Sequence, residues 1–407
     1  MVPFLVLLAL TGSECASAFA QQTHDLPAMD LADPILTAMI GAEPLRSKAF
    51  ETLREAAATD GERLLRALIR LPFREGRLPR GYSVLDLPGY DPSHGFAVIL
   101  PAVGEPPATG WPLVVGGSSM PTPPHEYLMR NLMSSWLERG FAVLFPRTPG
   151  LGGAGKSQDH RDPYADRDLL PAMIALLEVE TPIDRDRIFY SPAPWDVATA
   201  HEHTIPAIDA TLLAGLHAVL LGGSTLGTVR NAPHYAGRTV LLHHSDYEED
   251  SILLARARLR WIGAHPIETI KDSGLNDSVR FTIDHRAPEF FLTVRRKPPL
   301  QELTLEGHGS VPSRHEWIET VGPLGATRLR GKRSGDSIDL TTETGTIERI
   351  PALNLYLAEV PSSFTVRYQG RPVFGGTVPH GREQQLLCLR YRMLTGREAA
   401  RVIQIRP

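Results

Sequence analysis

The sequence predicts an α/β chain: a mostly parallel sheet with helices on both faces, followed by a smaller β-rich unit. Three observations predict it. Between Phe96 and Ile270 short apolar runs alternate with amphipathic stretches of helical period, the pattern of strands covered on both faces. Past about Val279 the period changes to short strand-like runs punctuated by Gly, Pro and Ser, as an antiparallel unit requires. The 407 residues also exceed one ordinary core and ask for two units, one of them large.

Taken in order, Val2 to Leu10 form an apolar h-region, and Ala18-Phe19-Ala20 before Gln21 fits the small-x-small cleavage rule. Residues 1–20 therefore read as a secretory signal peptide, although the n-region carries no Lys or Arg. The apolar run is about half the roughly 20 residues a membrane span needs. Cys15 follows the bulky, charged Glu14, which excludes a lipoprotein cysteine, and cleavage leaves Cys388 as the only thiol, which excludes an intramolecular disulfide. A secreted or periplasmic location follows. With 42% hydrophobic and 22% charged residues the composition is that of a soluble globular protein, and the net charge of −4 argues against a polyanion binder, so no nucleic-acid partner is expected.

Residues 21–80 read as a helical lead-in, with Leu53, Leu64, Leu65, Leu68 and Ile69 at helical spacing and Asp60 as a cap. The α/β unit occupies 81–278. Its strands are expected at Phe96–Leu100, Pro112–Val115, Phe141–Phe145, Ile188–Tyr190, Ala218–Leu221, Thr239–His243 and Ile267–Ile270. Its helices are expected around Glu126–Arg139, Asp166–Leu177, Pro206–Leu216 and Asp250–Ile262. The β-rich unit occupies 279–407, with strands at Val279–Asp284, Phe290–Val294, Glu302–Leu305, Ser337–Leu340, Leu353–Leu357, Phe364–Tyr368 and Arg401–Ile405, and a helix at Arg382–Leu394. Basic clusters at Arg295-Arg296-Lys297 and Arg328–Arg333 read as solvated loop tips.

The stretch richest in function is Ile183 to Ala200, where an apolar strand meets a tight turn and then an alanine-rich helix that Asp196 can cap. It resembles the nucleophile elbow of secreted α/β-hydrolases of the esterase and prolyl-oligopeptidase-like kind, in which a segment like P-I-D-x-D-R-I-Y precedes G-x-S-x-G. The resemblance extends through P-L-V-V-G-G-S-S at Pro112–Ser119, W-L-E-R-G-F-A-V-L-F-P-R at Trp136–Arg147 and the Gly-rich loop from Gly150. It covers roughly Leu85 to Val279. R-F-T-I-D at Arg280 and D-S-I-D-L-T-T at Asp336 are similar to the β extension of some such hydrolases.

That resemblance implies a site, and this sequence departs from it. The serine slot holds Pro194, which has no hydroxyl and a fixed φ that does not fit the strained nucleophile backbone. The base position, after the last strand, is Leu275, and leucine shuttles no proton. The acid position keeps Asp246, with Asp250 behind it. Gly116 and Gly117 are the glycines implied for the oxyanion loop, and the backbone of Trp195 is the donor following the nucleophile slot. The chain thus reads as a hydrolase-fold protein that lacks the usual Ser-His-Asp triad and binds or scaffolds a small acyl, peptide or glycan ligand.

Two alternatives stand beside this. Gly222-Gly223-Ser224 offers Ser224 as a relocated nucleophile, one strand late, whereas Ser191 at the strand end reads as a turn hydroxyl. Gly150–Ser157 satisfies G-x-x-x-x-G-K-[ST], a phosphate loop, but Pro146–Pro149 separates it from its strand and Gln158–Pro163 stands where its helix should begin. Of the bases on offer, His201 and His203 point apart on a helix, His243 and His244 alternate across a strand, and His285 lies farther on; this argues against a metal pair. No cofactor is expected. Amino-terminal sequencing of the exported protein should start at Gln21; an intact Met1 in the soluble exported form would overturn the signal-peptide reading.

Overall fold

The structure is a computed structural model that describes residues 47–49, 51–52, 78–87, 96–116, 133–146, 168–191, 212–220, 235–244, 249–261, 263–271, 286–306, 312–324, 327–342, 350–359, 361–379 and 381–406. Its centre is an eight-stranded sheet. The strands are β1 (Gly81–Leu85), β2 (Phe96–Leu100), β3 (Trp111–Gly116), β4 (Ala142–Pro146), β5 (Ile183–Ser191), β6 (Gly215–Leu220), β7 (Thr239–His244) and β8 (Ile267–Lys271), in the order β1-β2-β4-β3-β5-β6-β7-β8. The pairs β1–β2 and β2–β4 are antiparallel and every other pair is parallel. Strands β2 and β3 are buried at every residue, as a sheet covered on both faces requires.

Helices α2 (Leu169–Glu180) and α3 (Glu249–Trp261) pack on one face, where Leu170, Met173, Leu177, Ile252 and Leu259 join Leu113, Val115, Ile188 and Tyr190 in a single core. The other face carries α1 (Ser134–Glu138) and α4 (Arg286–Phe291), with Trp136 stacked on Phe291 at 5.9 Å and Phe291 against Phe189 at 4.8 Å. These are the α/β architecture and hydrolase-like sheet that the sequence implied.

Local expectations shifted in three places. The run Phe290–Val294, expected as a strand, contributes Phe290 and Phe291 to α4 and continues as a turn; Phe291, at the helix end, is buried against the sheet. The helix expected to reach Leu216 gives way to β6 from Gly215, where a Cβ would lie 2.7 Å from the Phe291 ring; the glycine admits the aromatic. Arg328–Arg333 is not a loop tip but β12 (Arg328–Ser334), in which Leu329 and Gly331 face inward between exposed Arg330 and partly exposed Arg328 and Arg333. The sheet's first strand, β1, and the carboxy-terminal strands β10 (Pro312–His315), β11 (Ile318–Pro323) and β16 (Arg371–Gly376) are not among the strands expected from the sequence.

The carboxy-terminal part is a two-sheet sandwich. Strands β9 (Glu302–Glu306), β12, β13 (Ser337–Thr342), β15 (Phe364–Tyr368) and β16 (Arg371–Gly376) form one sheet in the order β16-β15-β13-β12-β9. The other is β10 (Pro312–His315), β11 (Ile318–Pro323), β14 (Leu353–Leu357) and β17 (Arg401–Ile405), in that order. Leu305, Leu329, Ile338 and Phe364 of the first meet Ile318, Leu355 and Ile403 of the second in one apolar core. The helix α5 (Arg382–Thr395) then joins sandwich to sheet: Tyr391 stacks on Tyr356 at 4.0 Å, while Leu386 and Leu394 enter the core beneath α2. The expected division at 278/279 lies within residues 272–285, outside the described residues.

Charge is buried along the same contact. Glu316, fully buried in the β10–β11 turn at φ 48°, is ion-paired with Arg238 before β7 and with Arg397 at 3.3 Å. Asp168, before α2, pairs with Arg390 of α5 and lies 3.0 Å from Arg314 of β10. Glu319 completes that group, accepting from Tyr356 at 2.6 Å and Asn354 at 2.9 Å. Arg296, expected in a solvated loop tip, is instead buried and donates to the Thr395 and Gly396 carbonyls that end α5, at 2.6 and 3.0 Å. Burial and the nearby Arg397 pull its guanidinium down to about 10.

Burial alone would push the Glu316 carboxyl up, but Arg238 and then Arg397 outweigh it and hold it below the ordinary value. A depressed folded pKa stabilises above the unfolded carboxyl pKa of about 4.3, and that stabilisation is lost as pH falls through the folded value. Urea unfolding below about pH 4.3 should show this slope in the native protein and a shallower one in Glu316→Gln. Glu316→Ala should lower stability at pH 7 by about 3–5 kcal/mol, since it leaves buried cation behind.

Candidate functional site

In a parallel sheet flanked by helices, ligands bind beyond the carboxyl ends of the strands. Here those ends are Gly116 on β3, Ser191 on β5, Leu220 on β6 and His244 on β7. The implied site positions follow the strands in the expected order. Pro194 comes three residues after the central strand β5, Asp246 two residues after the next-to-last strand β7, and Leu275 four residues after the last strand β8. Ser224 follows β6. The side chains of Pro194, Trp195, Ser224, Asp246 and Leu275, together with Gly117, lie outside the described residues, as do Gly150–Ser157, His201, His203 and His285.

Gly116 is described. It pairs with Ser191 across β3 and β5, and a Cβ placed on it would come within 2.5 Å of the Phe145 ring. What fixes glycine there is therefore the packing of Phe145 beneath the strand end, whatever the following loop does.

What the structure brings together at this edge is a buried polar pair that sequence reasoning did not assemble. Ser191 Oγ lies 2.9 Å from His217 Nδ1, and the His217 ring stacks on that of His243 at 5.7 Å and 23°. All three are buried. Ser191 shares its sheet face with Phe189, two residues earlier, so the three polar groups continue the aromatic layer of Phe189 and Phe291 toward the strand ends. The signal for it was a histidine inside the apolar run Gly215–Leu220, where alternation predicts a buried side chain and burial demands a hydrogen-bond partner. Ser191, read from sequence as a turn hydroxyl, is the last residue of the strand itself.

A serine hydroxyl within hydrogen-bonding reach of an imidazole has the geometry of a nucleophile and its base. The same contact satisfies two buried polar groups, which is its minimum role. Among the described residues no group of three His, Cys, Asp or Glu side chains is arranged to hold a metal ion, and no helix is long and apolar enough to cross a membrane. Cys388, on α5, has its thiol pushed up to about 12 by burial, which makes it a packing residue and a poor nucleophile.

No family model matches the chain, and no curated protein is similar to it. Solved structures resemble parts of it. A thermostable esterase from Pseudomonas putida is 12% identical over 67% of this chain and 100% of its own, with a TM-score of 0.36. An enterobactin and salmochelin hydrolase is 14% identical over 52% of this chain and 94% of its own, with a TM-score of 0.35. For another thermostable esterase, 18% identical with a TM-score of 0.34, the match covers 50% of this chain and only 59% of the esterase. Scores this low add no weight of their own, and the fold assignment stands on the strand order and connectivity above.

Replacing Ser191 with alanine removes the hydroxyl from the buried His217 contact. Unfolding by urea should show a loss of about 1–3 kcal/mol, whereas a loss near zero would mean that the contact contributes nothing net.

Proposed function

We propose that this is a secreted or periplasmic hydrolase-fold protein that binds a small acyl, peptide or glycan ligand, or acts as a scaffold, without the usual serine chemistry. One observation carries the reading. The central strand β5 runs to the carboxyl edge of the sheet where an elbow nucleophile would follow, and the residue in that slot is Pro194. Leu275 in the base position supports the same reading. Loss of either the nucleophile or the base alone removes nearly all of a triad's contribution, leaving about 10³–10⁴ over water, so two losses are no worse than one.

A second reading, an active serine hydrolase with a relocated nucleophile such as Ser224, is favoured by the 2.9 Å contact between Ser191 and His217, which makes Ser191 a further candidate for the attacking group. A fluorophosphonate probe with mass mapping separates the readings. The native protein should take no label at a single serine and should not turn over short acyl esters. Stoichiometric labelling that disappears in Ser191→Ala or in Ser224→Ala would establish the active reading and identify its nucleophile.

A further inference from the structure

The sheet and the sandwich have separate apolar cores, and two such units in one chain ordinarily open and move apart, because the interfaces between them are small and polar. Three described features work against that here. Helix α5 belongs to both sides: Leu386 and Leu394 are buried in the sheet's core, while Cys388 and Tyr391 are buried with Tyr356 and Val402 of the sandwich. Lifting the sandwich away with α5 exposes the first pair, and leaving α5 behind exposes the second. The segment after α4 is a second tie. Its Arg296 donates a backbone N–H to the Asp186 carbonyl of β5 at 2.7 Å, and its buried guanidinium holds the Thr395 and Gly396 carbonyls at the end of α5.

The third feature is the β10–β11 turn. His315 pairs with Ile318, so Glu316 and Trp317 are the two residues of a hairpin loop. The favoured loops of this length have a positive φ at their first position, where Gly, Asn or Asp is the usual residue, and Glu316 stands there at φ 48°. A glutamate keeps such a backbone only where its surroundings hold it. The contacts that hold it come from beyond the hairpin. Arg238, ahead of β7, and Arg397, after α5, pair with the buried carboxylate, and the Tyr391 hydroxyl of α5 donates to the Glu316 carbonyl at 2.8 Å. The turn is thus shaped by the seated sandwich, and a sandwich drawn off the sheet would keep the unfavourable backbone without the contacts that offset it.

We propose that the sandwich is an obligatory brace of the sheet, forming one cooperative unit with it through α5 and Glu316, rather than a module that swings over the strand ends. Hydrogen exchange of the full-length protein, read by mass spectrometry, tests this. In the native protein the slowest amides of β11, β14 and α5 should have protection factors within about tenfold of those of β3 and β5, since all of them open only in global unfolding. Protection in the sandwich and α5 below that range would show the sandwich opening by itself and would overturn the proposal. Glu316→Gln should lower protection in β3 and β5 by the same factor as in β11 and β14, and a fall confined to the sandwich would overturn it as well. Glu316→Gly suits the turn but cannot reach Arg238, so it too should lower protection on both sides. A rise with glycine would mean that the turn answers only to its own backbone, and the locking role of Glu316 would fall.

Discussion

The contact on which this structure turns is the one between the helical side of the sheet and the carboxy-terminal sandwich, where charge is buried in matched groups. Glu316 sits at 0% exposure, with Arg238 from the sheet and Arg397 from the end of α5 on either side. Removing two ions from water is costly, and their attraction repays the cost only when geometry and further hydrogen bonds are good. Such a group gives little stability over an apolar substitute, yet it tolerates few alternative arrangements. Asp168, Arg314, Arg390 and Glu319 make the same demand a short distance along the seam. The sandwich is thereby fixed against α2 in one orientation.

Helix α5 makes that orientation possible. It has to satisfy two cores at once, offering Tyr391 to the aromatic stack under β14 and Leu386 and Leu394 to the sheet's own core. Its carbonyl end is closed by Gly396 in the left-handed conformation, at φ 64°, and by the buried Arg296. Arg185, whose side chain reaches from β5 to Glu178 of α2 at 2.5 Å and to the Met393 carbonyl at 2.8 Å, ties the same end to the central strand. Strand β5 is therefore braced at its amino end by α2 and α5.

At that edge the polar groups are few and aligned. Ser191, His217 and His243 extend a layer that is otherwise aromatic, and Gly116 keeps the Phe145 ring close beneath it. Among the described residues this layer is mostly apolar with a short polar line, and its side chains are buried.

Short apolar or alternating runs announce strands by period, and so β14, β15 and β17 stood at Leu353–Leu357, Phe364–Tyr368 and Arg401–Ile405 in the sequence as in the structure. The proline three residues past β5 is read from residue identity alone, and its side chain lies outside the described residues. Partners distant in the chain were not legible. No local pattern tells that Glu316 meets Arg238, 78 positions away, or that Ser191 meets His217, and a charged run such as Arg328–Ser334 looks the same in a loop and in a strand until the inward Leu329 and Gly331 find Ile318. Period and residue chemistry are written locally and determine elements and slots. Which buried charges pair, and whether Phe291 reaches the sheet as helix or strand, depends on burial, and burial exists only once distant segments have met.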